Sequence, residues 1–183
     1  GTVLVADIQP GQGGSSPAPM VRLGSVMLFA AEDAQGRELW STDGTTAGTH
    51  LVKDIQPGAG SSLPTDPQWY PGYQTFAVAG GRLLFNANDG ASGAELWVSD
   101  GTEAGTSLVE DIFPGVESSF PFSLVELGGK VLFRADDGSN GAELWVSGGT
   151  AADTFLLEDI VAGSSFPSEL TAAGGWVYFK ARA

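Results

Sequence analysis

The side chains able to do chemistry return in step with one another along this chain. The segments "EDAQGRE" (32–38), "NDGASGAE" (88–95) and "DDGSNGAE" (136–143) each gather carboxylates and backbone carbonyls within a few residues. In the last two, an Asp–Gly–x–x–Gly–x–Glu order brings Asp89 together with Glu95 and Asp137 together with Glu143. Calcium takes about six to eight oxygen ligands, and such a turn supplies roughly half of them. Asp89, Glu95, Asp137 and Glu143 are therefore the candidate metal ligands, and calcium is the one cofactor the residues suggest. A competing account needs no ion: Asp and Asn bond the backbone of their own turn while Gly supplies positive φ.

Other catalytic chemistry finds little footing. With no Cys, disulfides and thiolate metal sites are excluded. A serine–histidine triad or a multi-histidine zinc site would rest on His50 alone, the single histidine. Paired carboxylates for glycoside hydrolysis would have to stand out from an acidic background, and no pair does. The Gly-rich segments match no phosphate-loop pattern. The expectation is a protein without catalytic residues, not an enzyme. One stretch differs in kind: "LPTDPQWYPGYQTF" (63–76) concentrates Trp69, Tyr70 and Tyr73 among prolines. Exposed rings of this type stack on a sugar or dock a protein partner.

The elements that position these residues follow from an internal repeat. "ELW" occurs at Glu38–Trp40, Glu95–Trp97 and Glu143–Trp145, and "DI" at Asp7, Asp54, Asp111 and Asp159, with spacings of 47, 57 and 48 residues. Between them recur "VMLFAAED", "RLLFNAND" and "KVLFRADD", and a Ser-Ser word ending in Pro. Each unit reads as four short strands rich in Val, Leu, Phe and Trp, bounded by Gly, Pro, Asp and Ser. In the third unit these are 122–127, 130–136, 142–147 and 154–160. No window has the 3.6-residue apolar period of a capped helix. Four strands repeating over about 45–50 residues are the signature of a β-propeller blade.

Within that frame the residues sort themselves. The middle unit is nine residues longer, and the surplus falls at about 65–73. The loop before strand one and the turn between strands two and three share a face of an up-and-down blade, so Trp69, Tyr70 and Tyr73 should lie beside the acidic turns. Function in repeat folds concentrates where the repeat is broken, which makes these three the candidate ligand-binding residues; covering the channel end is the bland alternative. The ELW tryptophans read as packing between adjacent sheets. The "SDGT" turns and the DI aspartates read as turn caps and inter-blade hydrogen bonds. Gly148, standing where Asp43 and Asp100 stand, suggests that the turn carboxylate can be spared locally. His50 occupies a variable outer-strand position.

Composition sets outer limits. Hydrophobic residues make up 42% of the 183, enough for a packed core. The net charge of −14 disfavours nucleic acid and anionic lipid, and no basic patch with interleaved aromatics is present. No run approaches the roughly 18 apolar residues of a membrane span, so no membrane insertion is expected.

The words "ELWVSDGTEAGTSLVEDI" resemble the bacterial ELWxxDGT repeat family, and the likeness covers essentially the whole chain. The strand order is also similar to kelch repeats. The resemblance implies a propeller in a secreted or cell-surface protein, often as part of a larger chain, and no agreed activity. The expected fold is thus all-β: a single β-propeller domain or segment over 1–183, with an outer strand at 1–9. Three four-stranded antiparallel blades follow at about 17–55, 64–112 and 121–160, and a partial blade at 166–183. Open strand edges seek partners, so self-association or the remainder of a longer chain is expected to complete the ring. The expected role is an extracellular binding or scaffold module for a carbohydrate or protein ligand. The alternatives are a purely structural self-assembling unit and a non-catalytic part of a larger secreted enzyme.

Overall fold

The computed structural model describes residues 1–64 and 74–182. Fourteen strands are arranged in three four-stranded sheets and one two-stranded sheet, all antiparallel and each built from consecutive strands. The first sheet comprises β1 (Met20–Leu23), β2 (Val26–Asp33), β3 (Gly36–Thr42) and β4 (His50–Lys53). The second comprises β5 (Phe76–Ala79), β6 (Arg82–Asn88), β7 (Ala94–Ser99) and β8 (Ser107–Glu110). The third comprises β9 (Phe122–Leu127), β10 (Lys130–Asp136), β11 (Ala142–Ser147) and β12 (Phe155–Glu158). A hairpin of β13 (Ser168–Ala173) and β14 (Trp176–Lys180) ends the series. A short 3-10 turn at Ala151–Asp153 is the helical element among the described residues. No helix there is long and apolar enough to cross a membrane.

Sequence words and structure coincide in the first three strands of the third unit: β9, β10 and β11 match 122–127, 130–136 and 142–147. Residues 1–9 differ, forming no regular strand. A fourth strand needs an ELW strand to bond to, and β3, β7 and β11 each pair with the fourth strand of their own unit. The N-terminal segment is left with isolated contacts, such as Thr46 Oγ1 donating to Val5 O at 2.5 Å.

Successive sheets pack face to face, and this explains the nearly continuous apolar runs in the second strands. Side chains alternate across a strand. Leu83, Phe85 and Ala87 therefore join Leu28, Ala30 and Leu39 of the first sheet in one core cluster. Their neighbour Leu84 joins Leu96, Val131 and Phe133 in the next. A sheet buried on both faces has no polar face to alternate with. Trp97 lies in the cluster shared with the first sheet and Trp145 in the cluster shared with the second. The tryptophans thus pack between sheets as expected. In each unit the third-to-fourth-strand register slips at the Leu–Trp step of ELW.

Candidate functional site

The glutamate of ELW is a fully buried carboxylate in each unit. Glu38, Glu95 and Glu143 are fully enclosed, with no solvent exposure. Glu95 accepts from the Ile112 amide at 3.0 Å, the Ser119 amide at 2.8 Å and the Ser119 hydroxyl at 2.5 Å. Glu143 repeats the arrangement with Ile160, the Ser165 amide and the Ser165 hydroxyl at 3.1, 2.6 and 2.6 Å. Glu38 does so with Ile55 and Ser62. One carboxylate thereby clasps both ends of the connection that leaves its own sheet for the next.

The Ser-Ser word is the other half of that clasp. Its first serine accepts from the amide opening strand three, as Ser118 Oγ does from Ala94 at 2.9 Å and Ser164 Oγ from Ala142 at 3.0 Å. The carbonyl of the second serine crosses to the following sheet, where Asn88, Asp136 and Arg182 donate to Ser62, Ser119 and Ser165. The approach is close enough that a Cβ on Gly93 would lie 1.8 Å from Glu117 O. Glycine is required there by contact as well as by its φ of +72°. In the sequence these glutamates group with the turns; the recurrence of Ile 17 residues on, and of Ser-Ser 22 or 24 residues on, is the signal for a shared bond.

This geometry bears directly on calcium. Asp89 Oδ1 accepts from the Ala91 and Ser92 amides at 2.8 and 2.7 Å. Asp137 does likewise with Ser139 and Asn140, and its second oxygen accepts from the Asn140 side chain at 2.7 Å. Burial works against the charge of Asp137, but the bonds from Asn140 and Ser139 outweigh it and hold the carboxyl below its ordinary range. Glu95 and Glu143 face the clasp, with N–H and O–H groups aimed at their oxygens. No three His, Cys, Asp or Glu side chains are grouped to hold a metal among the described residues. Each of the four carboxylates thus accepts hydrogen bonds from N–H or O–H groups of its own turn or clasp.

Burial leaves its mark on the clasp. Desolvation pushes the Glu95 carboxyl up to about 7; the Ser119 and Ile112 bonds oppose the shift and the nearby Asp111 charge adds to it. Desolvation likewise raises Glu38 and Glu110. Of the turn caps and inter-blade bonds expected of the DI word, its two residues show one each. Ile112 supplies both the amide that Glu95 accepts and a core side chain. Asp111 bonds locally, accepting from the Gly115 amide at 3.1 Å.

The Asp-Gly-Thr turns correct a second expectation. Asp43 Oδ1 accepts from the amide and hydroxyl of Thr45 at 2.9 and 2.7 Å, and Asp100 does the same with Thr102. In the third unit Gly148 replaces this aspartate, yet the carboxylate is not lost. Asp153 accepts from the amide and hydroxyl of Thr150 at the same 2.9 and 2.7 Å. Asp43 and Asp100 lie against Gly48 and Gly105, whereas Asp153 lies against Gly148. Acid and glycine have exchanged ends of the turn, and the hydrogen bonds are kept. These bonds lower Asp43, Asp100 and Asp153 below the ordinary carboxylate range.

The candidate binding residues Trp69, Tyr70 and Tyr73 lie outside the described residues. The segment before them is anchored by Arg37, which the sequence did not single out. Its buried guanidinium donates to Pro64 O at 3.1 Å, to Ser16 O at 2.9 Å and to Ala18 O. It thereby ties the incoming segments of two successive sheets together. His50 is exposed at the start of β4, consistent with a variable rim position.

Several cavities are lined by described residues, among them two of similar size. One, of about 380 Å³, is mainly apolar and lies between Leu4 and Val5 of the N-terminal segment and Met20 and Phe29 of the first sheet. The other, of about 390 Å³, is lined by Arg134, Phe166, Ser168, Lys180, Ala181 and Arg182. No known family's sequence model matches the chain, and no curated protein matches it either.

Proposed function

We propose that this chain is part of a β-propeller of the ELWxxDGT, kelch-like kind. In that reading it acts in a secreted or cell-surface protein as a binding and scaffold module, not as an enzyme. The observation that carries it is the stacking of consecutively built four-stranded sheets through the same words. Leu83 and Phe85 meet one neighbour while Leu84 meets the other, as blades around an axis require. The titratable groups of the repeated turns are committed to turns and clasps, which supports a module that presents a surface. Specificity is assigned to the 65–73 insertion, with Trp69, Tyr70 and Tyr73 as contacts for a carbohydrate or protein ligand. Trp69→Ala, assayed on a glycan array beside its melting curve, tests this. Loss of glycan binding with an unchanged melting midpoint upholds the binding role, and undiminished binding removes it.

A second reading, self-assembly, is favoured by the last hairpin. Trp176 and Tyr178 are 71% and 61% exposed there. β14 pairs with β13 and carries no ELW strand on its other edge among the described residues. An exposed edge flanked by aromatic side chains is a template for pairing with another strand.

A further inference from the structure

In a chain with 8 basic and 22 acidic residues, the placement of each cation is informative. Arg22, Arg37, Lys53 and Arg82 donate to backbone carbonyls, the last two reaching Thr106 O and Gly148 O of the following sheet at 2.8 and 2.9 Å. Lys130 lies over the Phe155 ring. The other three, Arg134, Lys180 and Arg182, converge on the 390 Å³ cavity.

The repeat does not call for this convergence. Arg134 and Lys180 hold the position of Ala30 and Asn86 in the earlier second strands, and Arg182 holds that of Glu32, Asn88 and Asp136. At the last of these positions an acid has become a base. The backbone there keeps its repeat role, with the Arg182 amide donating to Ser165 O at 2.8 Å. The side chains are ordered by rings: the Arg182 guanidinium lies 4.7 Å from the Phe166 centroid and that of Arg134 lies 5.5 Å from Phe122. A guanidinium beside an aromatic ring keeps its planar fork of N–H donors, which takes an oxyanion in a bidentate pair. Lys180 Nζ is 2.7 Å from Glu169 Oε1, so its charge is shared with an acid. The Ser168 hydroxyl adds a neutral donor.

We propose that this cavity is a binding site for a small ligand bearing a carboxylate or a phosphate, with Arg182 and Lys180 as its principal contacts. The volume matches the lower end of small-molecule sites, about 300–1,000 Å³, and suits a sugar-sized acid. The proposal does not rest on the ligand reading of Trp69, Tyr70 and Tyr73.

Calorimetric titration of the folded chain with galacturonate, glucose 6-phosphate, inorganic phosphate and neutral galactose tests it. Saturable binding of galacturonate or a phosphate probe is expected, with galactose inert; the stronger arm identifies the ligand as carboxylate or phosphate. Arg182→Gln and Lys180→Gln should each weaken it by about tenfold, as expected for losing a charge-assisted contact. Arg22→Gln, which removes a cation outside the cavity, should leave it unchanged. Amide shifts at Ser168 and Arg182 during titration of the unmutated chain would locate the site without relying on variants. No saturable binding of any anion up to about 10 mM, the weak end of specific recognition, would overturn the proposal. So would an equal loss in Arg22→Gln, or shifts elsewhere.

Discussion

The clasp glutamate concentrates several effects in one side chain. In Glu95→Gln one acceptor oxygen becomes an NH2 group facing the Ser119 and Ile112 donors, leaving buried donors without a partner. A loss of about 1–3 kcal/mol is expected from denaturant unfolding. Its raised pKa adds a pH dependence. Folding tightens proton binding to Glu95 between its ordinary value of 4.5 and about 7. Its contribution is complete below about 4.5 and lost as pH rises through 7. Glu38 and Glu110 act in the same direction. The lowered aspartates act oppositely, contributing above their ordinary 3.8 and losing that contribution under acid. The melting midpoint should therefore be higher near pH 5 than near pH 7.5, and Glu95→Gln should flatten that slope. The exchanged turn acid provides a separate test. Asp153→Gly and Gly148→Asp should each destabilise, the first by removing the Thr150 partner and the second by crowding Asp153. The double variant should recover to within about 0.5 kcal/mol of the original chain, a coupling that only neighbours show.

Among the elements, the third strand carries the greatest responsibility, since it supplies the clasp, the inter-sheet tryptophan and two hydrogen-bonded flanks. Trp97 has Phe85 and Leu108 as its cross-strand neighbours and is 6% exposed within the cluster joining the first and second sheets. Trp97→Ala should cost about 3–5 kcal/mol in unfolding measurements, the range for emptying a large aromatic site. Trp40 is only half-buried and packs on no earlier sheet of the described chain, so Trp40→Ala should cost clearly less. Equal losses would contradict the view that these rings work by joining sheets.

For the molecule as a whole, net charge and unpaired surface pull in opposite directions. A charge of −14 opposes both compaction and association through self-repulsion, and salt screens that repulsion. Raising ionic strength should therefore increase the mass measured by light scattering, while Trp176→Glu should hold it near that of one chain. A mass insensitive to both changes would remove the last hairpin as a self-association surface.

The strands and their order were legible because burial on one or both faces writes itself into local words, and the repeat multiplies the signal. Trp97 and Trp145 were likewise readable, since a large ring at a constant strand position has few uses besides packing. The clasp of Glu95 was not legible because its partners lie 17 and 24 residues away, beyond the reach of turn chemistry. Gly148 was misread because the compensating acid enters from the far end of the turn. The sequence by itself determined the repeat, the all-β elements, the absence of cysteine chemistry and the acidic surface, each a matter of residue types and short spacings. Only the tertiary structure decided which carboxylates are clasps, which glycine faces an acid, and that three scattered cations share a cavity. Those facts depend on chain segments from successive sheets meeting in space, and hydrogen bonds and charge act over distances through space that sequence separation does not measure.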